Sequence, residues 1–133
     1  MNHPSVKPST VETIRWNSGS NLSDNTFQLY GKQDTVEEQS QLIFLEKGTL
    51  SNLTVKLTSE PGIGNSRKFT VRLNGVDTSL DVIIADNATS GSNNIDQVQV
   101  NELDCISLVH TSTNNEGLIL PSVGISGLKF KQI

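Results

Sequence analysis

The side chains able to carry acid–base, nucleophilic or metal chemistry are few in this sequence and lie far apart. Of the two histidines, His3 sits in a polar opening stretch and His110 ends an apolar run beside a polar one. Neither has a neighbour that would poise it as a general base, and His110 reads as a surface residue at a strand end. Cys105 falls inside the apolar run Leu103 to Val109 and reads as a small buried hydrophobe. The segment Ser122-Val123-Gly124-Ile125-Ser126-Gly127 comes nearest to a G-x-S-x-G nucleophile elbow and misses its spacing. One cysteine and two histidines make a poor zinc site. Asp77, Asp81 and Asp86 share one strand, but Asp86 has the opposite parity, and paired acids for glycoside hydrolysis must converge across a cleft. Hard oxygen ligands gather at Asp86-Asn87, Ser92-Asn93-Asn94 and Asp96 without the D-x-[DN]-x-[DN]-G pattern of a calcium loop. The expectation is a non-enzymatic protein with no catalytic residue, no metal and no cofactor.

The elements that would position these residues are strands. From Gly48 to Asp86 three runs alternate apolar and polar residues: Leu53, Val55 and Leu57; Phe69, Val71 and Leu73; Leu80, Val82 and Ile84. This two-residue period places apolar side chains on one sheet face. Asn74-Gly75, between the second and third runs, tolerates the positive φ that a type I′ hairpin turn demands. Glu60 to Asn65, with a proline and two glycines, reads as a surface loop, as do Gly31 to Ser40 and Asn87 to Asn94. Further strands are expected at Thr26 to Tyr30, Gln41 to Lys47, Ile95 to Val100, Leu103 to Thr111, Leu118 to Leu120 and Val123 to Ile133. No window shows helical spacing. Eight or nine strands with alternating tight and long loops suit an all-β fold, a two-sheet antiparallel sandwich of jelly-roll type. An immunoglobulin-like topology is the alternative, without the Cys…Trp…Cys framework. Residues 1–23, rich in Pro, Ser, Thr and Asn, read as an extended N-terminal arm, and residues 24–133 as a single domain.

At 133 residues one core is the default. A formal net charge of −4 and a pI near 5.0 argue against nucleic-acid binding, which relies on a basic patch. No stretch has the pattern of a signal peptide or the length of a membrane span.

The strand Gly48-Thr49-Leu50-Ser51-Asn52-Leu53-Thr54-Val55, then Pro61-Gly62, then Thr70-Val71-Arg72-Leu73-Asn74-Gly75, resembles a group of small all-β proteins of bacteriophages and large DNA viruses. Asn101-Glu102-Leu103-Asp104-Cys105-Ile106-Ser107 is similar to that group's G-D-x-I-S turn and strand, with the glycine missing. The resemblance covers about Thr26 to Phe130. It implies a jelly roll related to the trimeric tumour-necrosis-factor-like fold, and a virion surface, fibre or minor capsid component.

The strands at Leu42 to Leu45, Leu103 to Val109 and Leu118 to Leu120 do not alternate, so their apolar groups point both ways. A second copy of the chain is the expected cover, with Leu42, Phe44, Ile106, Leu108 and Ile119 as the candidate oligomer interface. Three-fold symmetry is implied by the resemblance alone. Other virion proteins are possible partners. The rival expectation is a carbohydrate-binding, lectin-like module recognising glycans through its polar loops. Sugar platforms need an exposed Trp or Tyr, and the two such residues, Trp16 and Tyr30, lie near the N-terminus rather than in the long loops, which counts against it.

Overall fold

The computed structural model describes residues 11–113 and 119–133. Eleven strands are present among them: β1 (Val11–Asn17), β2 (Thr26–Gln28), β3 (Gln33–Asp34), β4 (Leu42–Ile43), β5 (Gly48–Leu57), β6 (Gly62–Leu73), β7 (Val76–Asp86), β8 (Ser90–Asn93), β9 (Val98–Val100), β10 (Cys105–Ser112) and β11 (Gly124–Gln132). One sheet runs β1-β11-β5-β8, with β9 also on β5. The other runs β3-β2-β10-β6-β7, with β4 also on β10. The connections β1 to β2, β4 to β5, β5 to β6, β7 to β8, β9 to β10 and β10 to β11 all cross between sheets, which wraps the chain as a jelly roll.

The alternating runs meet in the middle. Leu50, Leu53 and Val55 of β5 and Leu128 of β11 are buried with Phe69, Val71, Leu80, Ile106 and Leu108 of the opposite sheet. Asn74 and Gly75 have φ of 51° and 82°, the type I′ geometry, and join β6 to β7. Asn74 does more than turn. Its Nδ2 donates to Asp104 Oδ1 (3.0 Å) and its Oδ1 accepts from the Cys105 backbone N–H (2.9 Å). Asp104 Oδ2 also accepts from the Asn101 N–H, and that bond, then the one from Asn74, holds its carboxyl below the usual range. The Val-Arg-Leu-Asn-Gly and Asn-Glu-Leu-Asp-Cys motifs therefore touch one another, and both act in folding.

Four expectations change. The loop expected at Glu60 to Asn65 is in part strand, because β6 begins at Gly62, which pairs with Asp86 ahead of a bulge. The arm is in part a strand: β1 pairs with β11 from Val11↔Lys131 to Asn17↔Ile125, and Trp16 and Leu22 are buried in the core. Ile14 and Trp16 do alternate with Thr13 and Arg15, but over too few residues to stand out beside the flanking Pro and Ser. Residues 1–10 lie outside the described residues. The loop at Asn87 to Asn94 contains β8, which has no apolar residue because it is an edge strand on β5. Gly91 suits that place, since a Cβ there would stand 2.8 Å from Val82 Cγ1 of the other sheet. The loop at Gly31 to Ser40 carries β3 and a short 3-10 turn (Glu37–Gln39) that docks on the six-stranded sheet.

Candidate functional site

The free edges β1 and β4 belong to different sheets and border one seam of the sandwich. A cleft of about 390 Å³ runs between them, lined by Glu12 and Ile14 on one side, Leu42 to Glu46 on the other, and Phe130 at its base. Phe44 fills the interior end by packing on Phe130, with ring centroids 4.9 Å apart. That packing is why residue 48 is glycine: a Cβ would come within 2.3 Å of the Phe130 ring. Phe44 turns inward, leaving Ile43 and Leu45 outside at 56% and 69% exposure, with Leu103 beside them at 64%. Leu103 and Phe44 are joined by a backbone hydrogen bond of 2.7 Å. β1 presents its outer backbone edge along the same seam.

Of the five residues expected at an interface, only Leu42 faces outward. Phe44, Ile106, Leu108 and Ile119 are buried within the chain. β10 is less two-sided than its composition suggests: Ile106, Leu108 and His110 point to the core, while Ser107 and Val109 face away. Ser107 is covered by the 3-10 turn, donating its hydroxyl to Glu37 Oε2 at 2.6 Å. Ile119 is inside and Leu120 outside; residues 114–117 and Leu118 lie outside the described residues.

His110 is a correction of a different kind, because it is completely buried. Its Nδ1 lies 2.8 Å from the Ser23 carbonyl, which can only accept, so Nδ1 carries the proton. Nε2 is left to accept from Arg67 Nη1 at 3.2 Å, and Arg67 Nη2 donates to the Leu120 carbonyl at 3.0 Å. Burial lowers the imidazole pKa to about 4, with Arg67 adding to the effect and the Ser23 bond opposing it. The pair ties β6 and β10 to the Ser23 segment and the Leu120 segment. Sealed from solvent, it is a cross-link without access to a substrate.

The acids singled out in the sequence shape turns. Asp86 Oδ1 accepts from the Gly64 N–H (2.8 Å), and Asp96 Oδ2 accepts from Asn93 Nδ2 (2.9 Å). Asp77 accepts from Arg72 Nη1 at 2.6 Å, and Asp81 lies 3.9 Å from Lys68. No cluster of three metal-ligating side chains occurs among the described residues. Trp16 is buried and offers no platform; Tyr30 is 80% exposed.

No protein-family model matches this chain, and a search of the curated proteins finds no match. No helix among the described residues is long and apolar enough to cross a membrane.

Proposed function

We propose that the protein is a non-enzymatic structural subunit that self-associates through the β1/β4 seam and serves as a component of a virus particle. The observation that carries self-association is the apolar group Leu42, Ile43 and Leu45, outside and along one cleft, beside the free edge of β1 before its bonded end at Asn17. Isolated exposed apolar residues are ordinary, whereas a cluster bordering an open cleft and a free strand edge marks a surface that another chain covers. A second copy of this chain is the simplest cover, since a symmetric assembly repeats one contact. Trimeric assembly and placement in a virion rest on the resemblance to virion jelly rolls. The crossing of connections between the sheets agrees with the fold that the resemblance implies and bears on neither the trimer nor the virion.

Light scattering coupled to size-exclusion chromatography of the whole chain tests the assembly. A mass of about 43 kDa, three times 14.4 kDa, supports a trimer, and a mass near 14.4 kDa at micromolar concentration overturns self-association. Ile43→Lys with Leu45→Lys lowers the mass if the seam is the contact and leaves it unchanged if another surface is used. Mass spectrometry of purified particles tests the placement, and absence of the chain there removes it.

A further inference from the structure

The outer face of the five-stranded sheet carries a second cleft, well apart from the seam in composition. It has a volume of about 380 Å³, at the small end of the range of roughly 300–1,000 Å³ in which ligand sites fall. Tyr30 stands at one side, and its position is built rather than incidental. The segment carrying it is clamped to the end of β1 by Asn17 N–H to Leu29 O (2.9 Å) and Gly31 N–H to Asn17 O (3.2 Å). Gly19 allows the clamp, since a Cβ there would collide with the Gly31 carbonyl at 1.9 Å. The backbone on either side of Tyr30 is thus fixed, and its ring, 80% exposed, is an apolar plate offered to solvent at the edge of the cleft.

Opposite it, Ile125 is half exposed and Gly127 forms the floor. Gly127 borders a β-bulge, where the pairing slips from Gly127↔Thr54 to Lys129↔Ser51 because β5 carries the extra residue. The φ of Gly127 is not in the left-handed region, and a Cβ would meet nothing nearer than Thr13 Cγ2 at 3.7 Å. A bare strand position that could hold a side chain suits the close approach of a ligand. Arg15 and Lys56 border the cleft, neither in an ion pair among the described residues, and no carboxylate lines it.

We infer that this cleft binds a pyranose ring bearing a carboxylate, as in a uronic or sialic acid residue of a glycan. The ring's apolar face stacks on Tyr30, the carboxylate meets the Arg15 fork and Lys56, and ring hydroxyls reach Asn17 and Thr13. A nucleic acid would need a track of cations with successive aromatics. Here there is one aromatic, and the next cations along the sheet, Lys129 and Lys131, lie in a separate polar cleft without a ring.

The test is amide and Tyr30 side-chain NMR of the full chain, titrated with a glucuronate-containing tetrasaccharide, with cellotetraose, with sodium sulfate and with a thymidine oligonucleotide. Saturable shifts at Thr13, Ile125 and Gly127 with the glucuronate sugar, at about millimolar concentration or below, support the assignment. Tyr30→Ala and Arg15→Gln each then weaken binding by about tenfold, and Gly127→Val abolishes it while keeping the melting temperature. Absence of shifts at about 10 mM, shifts that map elsewhere, or equal binding of cellotetraose overturns it. Equal binding of sulfate or the oligonucleotide, indifferent to Tyr30→Ala, also overturns it, in favour of a simple anion surface.

Discussion

The two sheets of this sandwich treat their outward cations differently. On the six-stranded sheet Arg72 is enclosed: its Nε donates to Glu37 Oε2 at 2.7 Å, its Nη1 to Asp77 Oδ1 at 2.6 Å, and its Nη2 to the Gly75 carbonyl. The Glu37 bond above all raises its pKa, and Lys68 has Asp81 nearby. On the five-stranded sheet the outward strand positions hold Arg15, Lys56, Lys129 and Lys131, with no carboxylate among them and no ion pair among the described residues. In a chain of net charge −4 the first face is finished by its own sequence, and the second is left with its charge open. The difference teaches that a polar sheet face is not one kind of surface. Whether it is covered depends on a distant segment, here the Glu37 turn.

The contrast inside β1 should give the largest effect. Trp16 points to the core and Arg15 to the open face, so Trp16→Ala should cost about 3–5 kcal/mol, whereas Arg15→Ala should stay within about 0.5 kcal/mol. Chemical denaturation of both variants measures it, and equal losses would mean that the open face is packed against something.

The next effect concerns His110, buried against Arg67. His110 has a folded pKa of about 4 against an ordinary 6.5, so the native state favours the uncharged ring. Its contribution is complete above pH 6.5 and is lost as pH falls toward 4, on the order of 3 kcal/mol in total. Stability measured from pH 7 to 4 should fall less steeply in His110→Gln than in the parent chain. Parallel curves would show that the imidazole does not titrate on unfolding.

Much of this architecture was legible and some was not, for physical reasons. The hairpin of β6 and β7 announces itself because alternation and an Asn-Gly turn are local signals. β8 and β1 do not: an edge strand needs no apolar face of its own, and Trp16 supplies the core from within a polar neighbourhood. The apolar seam was half legible, since the run Leu42 to Leu45 showed two-sidedness, but only the pairing of β4 with β10 decides that Phe44 turns in and Ile43 out. Ile106 and Leu108 misled because the cover on the other face of β10 comes from Glu37, 70 residues before Ser107. His110 misled because its partners Ser23 and Arg67 are also remote.

Breaking the covered face itself should cost less than either interior change. Arg72→Met leaves Glu37 partly enclosed with only the Ser107 hydroxyl, and about 1–3 kcal/mol should be lost. Glu37→Gln, which keeps a hydrogen-bonding shape, should lose less. Thermal melts of the two variants rank them, and the reverse order would mean that the Glu37 carboxylate matters more through Ser107 than through the Arg72 guanidinium.

The smallest effect should come from the open face, and its sign is the informative part. Lys129 and Lys131 are exposed and lie on the same side of β11. Their cross-strand neighbours are Ser51 and Thr49 on β5 and Thr13 and Val11 on β1, none of them charged. With like charges close together and no anion to answer them, replacing both by Gln should leave stability unchanged or raise it by a few tenths of a kcal/mol, roughly the scale of an exposed charge pair. The gain should vanish as salt shortens the Debye length to about 3 Å at 1 M. The same substitution on a face that carries its own counter-charges would be destabilising at low salt instead. A loss of about 1 kcal/mol or more at low salt would therefore mean that carboxylates from elsewhere, such as another copy of the chain, already sit on this face, and the two sheets would differ less than their own strands suggest.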